Sequence, residues 1–254
     1  MKLGLNMYLR AIAQLFVHLW PALLATGPAW VASTVLTGVA ANQFFGDLQP
    51  TQSATDGQAF SLPPLYWTYF LLTQALNFIT FAYIGPKFHR AMLPNRHFKQ
   101  SLPFADYLMA LMKLAFIGFV LTFGFSRVIA LVAPTVPGPL GHLTIPIVCL
   151  FITLYMVLRL SLVLPSIALS RPRDLISAWR LTRPFKFSGL VSLVLLTITV
   201  AGLHSFALLW SGAPWAGLAL GAIASWFALV TVLSYLSILY RDARRIEHGM
   251  VKPT

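Results

Sequence analysis

Acidic side chains are nearly missing from this chain, with six Asp and Glu among 254 residues against eighteen Lys and Arg. Cysteine is scarcer still, present only as Cys149. One cysteine excludes a disulfide framework and a thiolate metal cluster, and its place in an apolar run marks an inert core thiol. Charge of either sign makes up 9% of residues, where a soluble domain carries roughly a quarter, so the usual water-facing surface is not encoded. No carboxylate lies deep in an apolar run, which disfavours a proton- or sodium-coupled carrier using an acidic residue at mid-depth. Neither is there an acid to orient a histidine base beside a serine, so Ser205, Ser234 and Ser237 read as packing and interhelical hydrogen-bonding groups. The histidines show no HxxxH or HExxH spacing: His18, His142 and His204 are far apart, His89 and His97 belong to a basic loop, and His248 to the tail. No metal site and no cofactor is expected.

What the chain has in abundance is apolar sequence, 58% of its residues. Long apolar runs separated by basic clusters point to an all-α, polytopic integral membrane protein of about six transmembrane helices, with interfacial amphipathic helices on the cytoplasmic side. The spans fall near residues 15–45, 64–85, 107–133, 143–164, 187–210 and 216–240, in a single membrane domain with no soluble domain. The uncharged run at 11–41 is far longer than the roughly 7–15 residues of a cleaved signal core, so it is expected to stay in the mature protein.

Lys2, Asn6, Arg10 and Gln14 recur every four residues and predict an interfacial first helix. The chain should then enter the bilayer near Trp20, with Pro21 and the pair Gly27 and Pro28 kinking or breaking it. Residues 46–63 form a polar external loop. The second span opens with Tyr66, Trp67 and Tyr69 as an aromatic belt and ends at Pro86. Asp106 is placed to cap the third span. PTVPGPLG, at 134–141, forms an external turn, and 211–215 forms another. In the sixth span Gly217, Gly221 and Ser225 fall four apart and predict a close helix contact, within the chain or with a second protomer. Three helical hairpins of similar layout, 1–90, 96–173 and 174–245, could equally reflect the alternation of any six-span protein.

Charge fixes the expected orientation. Two Lys or Arg lie in the N-terminal segment, four in the loop at 86–102, five at 170–187 and four in the tail, leaving only Lys113, Arg127 and Arg159 elsewhere. The opposite loops have none, so both termini and both basic loops are expected in the cytoplasm.

The organising stretch, residues 143–210, consists of two apolar spans and, between them, SRPRDLISAWRLTRPFKF at residues 170–187, a basic amphipathic segment. The segment is expected to lie on anionic headgroups with Leu175 and Ile176 buried, which accounts for its interleaved basic and aromatic residues better than nucleic-acid binding does. With the residues before it, this segment resembles the bacterial multi-pass inner-membrane family that includes the membrane domain of glycerophosphoryl diester phosphodiesterases. The resemblance rests on Arg159 followed by an apolar run to Pro165, then Ala178, Trp179, Arg180, Leu181 and Thr182. It implies a helical inner-membrane domain, and it does not imply hydrolase activity, because no segment here is long enough for the phosphodiesterase barrel.

Arg159, Trp179, Arg180, Arg183 and Lys186 are the candidate lipid or anion contacts. Arg159 has three expectations: a bidentate grip on a phosphate, snorkelling, or a buried pair with Asp106. Lys113 reads as snorkelling and Arg127 as a marker of the outer interface. The functional expectation is a non-enzymatic module that organises membrane lipids, through anionic headgroups on the cytoplasmic face, or a membrane-protein partner or second copy. The alternative is a carrier or channel for an anionic or amphipathic small molecule, which needs a polar cavity lined by groups such as Gln74, Asn77, Thr80 and Arg159.

Overall fold

The computed structural model describes residues 2–45, 65–93, 101–132, 135, 144–171, 173–208 and 214–248. The expected loop at 46–63, most of the turns near 134–141 and 211–215, and Arg96, His97, Lys99, His142 and Lys252 lie outside the described residues. Every element formed by the described residues is helical. They are α1 (Lys2–Val17), α2 (Leu19–Phe45), α3 (Leu65–Met92), α4 (Phe104–Val132), α5 (Ile145–Leu160), α6 (Val163–Ala168), α7 (Leu175–Leu181), α8 (Lys186–Leu208) and α9 (Pro214–Glu247).

Among the described residues five stretches are long and apolar enough to cross a membrane: Leu19–Ala40, Phe104–Val132, Ile145–Ala168, Arg183–Leu203 and Ala219–Glu247. Six spans were expected. The other long helix, α3, has 28 residues, but Gln74, Asn77 and its tyrosines lower its hydropathy. In packing order α2 lies on α3, α3 on α4, α4 on α5, α5 on α8, α8 on α9, and α9 returns to α2 and α3. The short α6 is buried along its whole length and fills the space between α3, α4 and α9.

Prolines break the chain at some sites and not at others. The break between α1 and α2 falls at His18, where Pro21 has no N–H to offer the Val17 carbonyl. Pro28 lies inside α2 without ending it, and α3 runs through Pro86 to Met92 rather than stopping there. Between α5 and α6, Pro165 cannot donate to the Ser161 carbonyl, which accepts from the Leu164 amide at 3.0 Å in a tighter turn. α6 closes with Ser170 in the left-handed region at φ 55°, and the amides of Ser170 and Arg171 bond back to Ile167 and Ser166 at 2.9 Å.

Burial is concentrated at the end of the bundle that carries the basic clusters. α4 buries Tyr107, Ala110 and Leu114, all in its first half, while Phe116, Phe119 and Leu131 are exposed. α8 likewise buries Ser188, Ser192, Leu193 and Leu196 near its start, and α9 is buried mainly from Ala224 onward. Small and hydroxylic residues make this close packing possible. α1 turns Gly4, Met7, Ala11 and Leu15 inward at helical spacing and lies across α8 and α9. Ser192 donates to the Gly4 carbonyl at 3.0 Å, Ser234 to the Ala11 carbonyl at 2.8 Å, and Tyr8 meets the Thr199 hydroxyl. Asn6 and Arg10 of the expected polar stripe are exposed, so α1 is a packed element with one polar side.

Among the described residues no close contact forms at Gly221, since a Cβ added there would meet nothing within 4 Å. The surroundings of Gly217 lie outside the described residues.

Candidate anionic-lipid interface

The interface is built on α7, a helix of seven residues, too short to persist on its own. It is fastened at both ends. At the start, Asp174 takes an extended conformation and its carboxylate accepts the Ser177 amide at 3.0 Å. Hydrogen bonding by Ser177 holds that carboxyl below its ordinary range. At the end, Arg159 reaches across from the last turn of α5. Its Nε donates to Thr182 Oγ1 at 2.7 Å and its Nη2 to the Trp179 carbonyl at 2.9 Å. Thr182 donates in turn to the same carbonyl at 2.8 Å, closing a triangle over the last turn of α7. The Trp179 ring covers the guanidinium at 3.6 Å, and the Tyr155 ring lies 5.7 Å away on α5 itself.

This geometry resolves the three expectations for Arg159. The pair with Asp106 does not form: Asp106 is exposed in the first turn of α4, where its charge suits the helix dipole, and Arg159 is bound to α7. Asp106 makes no cap bond either, because α4 begins two residues earlier, at Phe104. Snorkelling does not describe a side chain that is 6% exposed with its face covered by an indole. The same cover leaves little room for a headgroup phosphate. Arg159 latches α7 to α5, and this follows from the rigid fork of guanidinium, which can stack and donate at once.

The other sequence candidates lie on the outside of the latch. Trp179 is half-buried, and Arg180, Arg183 and Lys186 are exposed, running from the end of α7 through a 3-10 turn at Arg183–Phe185 into α8. Among the described residues none of the three makes an ion pair, although the Arg180 charge acts on the Asp174 carboxylate. Of the other described carboxylates, Asp242 is paired with Arg10 at 2.5 Å and more loosely with Arg241 at 3.8 Å, and Glu247 with Arg173 and Arg244. Beside the cations stand two large apolar side chains with no protein cover, Ile176 at 63% and Phe187 at 82% exposure. Leu175 is half-buried against the chain, so of the two apolar residues expected to face lipid, Ile176 is the one left free.

Sequence reasoning missed one constellation. His89, assigned to a loop, lies in α3 because that helix continues past Pro86, and its Nδ1 is 2.8 Å from Ser237 Oγ and its Nε2 3.2 Å from the Tyr107 hydroxyl. The Ser237 proton goes to the Leu233 carbonyl at 2.9 Å, so Ser237 accepts from Nδ1–H and Nε2 accepts from Tyr107. All three residues are at most 1% exposed. With its hydroxyl proton committed to the Leu233 carbonyl, Ser237 links α9 to α3 through His89. The signal in the sequence was the i, i+4 spacing of Gly85 and His89, which sets the ring on the helix face where Gly85 admits Tyr107.

The groups named for a transport cavity go separate ways. Gln74 is exposed, Thr80 returns its hydroxyl to the Leu76 carbonyl, and Arg159 is bound to α7. A cavity of about 390 Å³ does lie between α2 and α9, but Leu23, Gly27, Trp30, Ile223, Trp226 and Phe227 make it apolar. The two tryptophans cross-link its walls, Trp30 to the Ala222 carbonyl and Trp226 to the Thr26 hydroxyl, both at 3.0 Å. On α4, Lys113 and Arg127 are exposed, Arg127 lying 5.0 Å over the Phe123 ring. No family model, curated protein or solved structure matches this chain.

Proposed function

We propose that the protein is a non-enzymatic module of a bacterial inner membrane that gathers anionic lipids at its basic end, which faces the cytoplasm along with both termini. In this reading α3 is the sixth span. At 28 residues it is about 42 Å long, enough to cross, and Trp67, 59% exposed near its start, suits an interfacial anchor.

The observation that carries the reading is the state of Arg180, Arg183 and Lys186: exposed, in no ion pair among the described residues, and held on a turn that Arg159 and Asp174 fasten at its two ends. Near anionic lipid each such cation contributes about 1 kcal/mol of attraction, and Ile176 and Phe187 add apolar insertion beside them. A rigid cluster also binds more tightly than the same charges on a mobile tail, because less freedom is lost.

The test is charge reversal in reconstituted protein. Arg180→Glu with Arg183→Glu should lower the association of spin-labelled phosphatidylglycerol severalfold relative to phosphatidylcholine, with insertion unchanged. Equal association of the two lipids with the native chain, or no change in the variant, would remove the basis for the reading.

A further inference from the structure

A second group of cations converges on the last turns of α9, away from the exposed turn. Tyr240, Arg244 and Glu247 share one face of that helix, and the segment between α6 and α7 brings Arg173 onto Glu247, with Arg171 two residues before it. Arg173 grips both oxygens of Glu247, at 2.7 and 3.0 Å, and Arg244 reaches the same carboxylate at 2.8 Å. Glu247 raises the Arg173 guanidinium further above its ordinary value. The Tyr240 hydroxyl is buried at the base of this group beside the Arg173 guanidinium, without a hydrogen bond of full geometry.

A buried hydroxyl short of a partner is destabilising, and a ligand oxygen at that place would relieve it. The mouth is open to one, as Arg173 and Arg244 keep 19% and 20% of their side-chain surface and Arg171 is exposed without a side-chain bond. Three guanidinium charges against one carboxylate leave two positive charges, which match the roughly −1.5 to −2 of a phosphate monoester. Guanidinium forks suit its oxygens, and the phenol would donate to one of them.

We propose that Arg171, Arg173, Arg244 and the Tyr240 hydroxyl form a binding site for a phosphate monoester, held in the free chain by the Glu247 carboxylate as an internal stand-in. Ligand then competes with Glu247 for the same two arginines. The site is separate from the cluster at Arg180, Arg183 and Lys186, and its ligand is either a lipid bearing a terminal phosphate or a free phosphate.

The full chain in nanodiscs tests this in two arms. In the first, inorganic phosphate is titrated into phosphatidylcholine discs and followed by phosphorus NMR line width. In the second, retention of phosphatidate over phosphatidylcholine is measured without free phosphate. Glu247→Gln should tighten binding about tenfold, by removing the competitor, and Arg171→Gln should weaken it about tenfold without disturbing packing. The arm that responds identifies the source. No binding in either arm, equal binding by the native chain and both variants, or loss of binding in Arg180→Glu with Arg183→Glu overturns the proposal.

Discussion

The guanidinium carbon of Arg159 lies 3.6 Å from the centre of the Trp179 ring, while its Nη2 bonds the carbonyl of that same residue. One side chain thus grips both the ring and the backbone of a residue twenty positions on, and α7 stays where it is because of it. Arg159→Lys keeps the charge but not the fork, so it cannot stack on the indole while serving both Thr182 and the Trp179 carbonyl. The expected cost is about 1–3 kcal/mol, falling mainly on α7. Hydrogen exchange should show faster exchange in α7 with α9 unchanged; full protection of α7 in this variant would rule out the latch.

The His89 relay should behave as a coupled unit. His89→Phe leaves the Tyr107 hydroxyl buried and unpaired, while Ser237 still has the Leu233 carbonyl. A loss of roughly 1–3 kcal/mol is expected, and adding Tyr107→Phe should recover part of it, because the orphaned hydroxyl goes too. Thermal unfolding of the two single variants and the double variant reads the coupling; simple additivity would mean the 3.2 Å contact contributes nothing.

Two glycines make a contrast in packing. A Cβ at Gly4 would sit 2.6 Å from the Ser188 carbonyl oxygen and 2.9 Å from the Val191 Cβ, whereas one at Gly221 meets nothing within 4 Å. Gly4→Ala should therefore push α1 off α8 and cost about 1–3 kcal/mol. Gly221→Ala should be neutral or slightly stabilising in the monomer, since alanine is the better helix former. Comparing their midpoints in one lipid mixture checks both, and equal effects would count against the packing of α1.

Acid should loosen the start of α7. The Asp174 carboxyl is held below its ordinary value by Ser177, so its stabilisation is complete above about pH 4 and is lost as pH falls through the lowered value. The Ser177 amide resonance should titrate with that midpoint. Asp174→Asn keeps a capping oxygen and should abolish the titration; a pH-independent amide shift in the native chain would show that the cap is not formed.

The sequence alone determined that the chain is helical and apolar enough for a membrane, because both are local properties: run length, hydropathy and the scarcity of charge. It also marked residues 159–187 as central, since an arginine in an apolar run and a basic amphipathic segment are costly features that need a reason. It could not pair them. On paper Arg159 was open to a phosphate, to snorkelling or to Asp106, and the break at Pro165 after α5, followed by the reversal at Ser170, turns α7 back onto Arg159. His89 was hidden for a related reason, because whether a proline stops a helix depends on what surrounds it, and at Pro86 the neighbouring helices support continuation. Periodicity and hydropathy act over a few residues, whereas which polar groups find each other is decided by how helices cross, and that was settled only when the bundle closed.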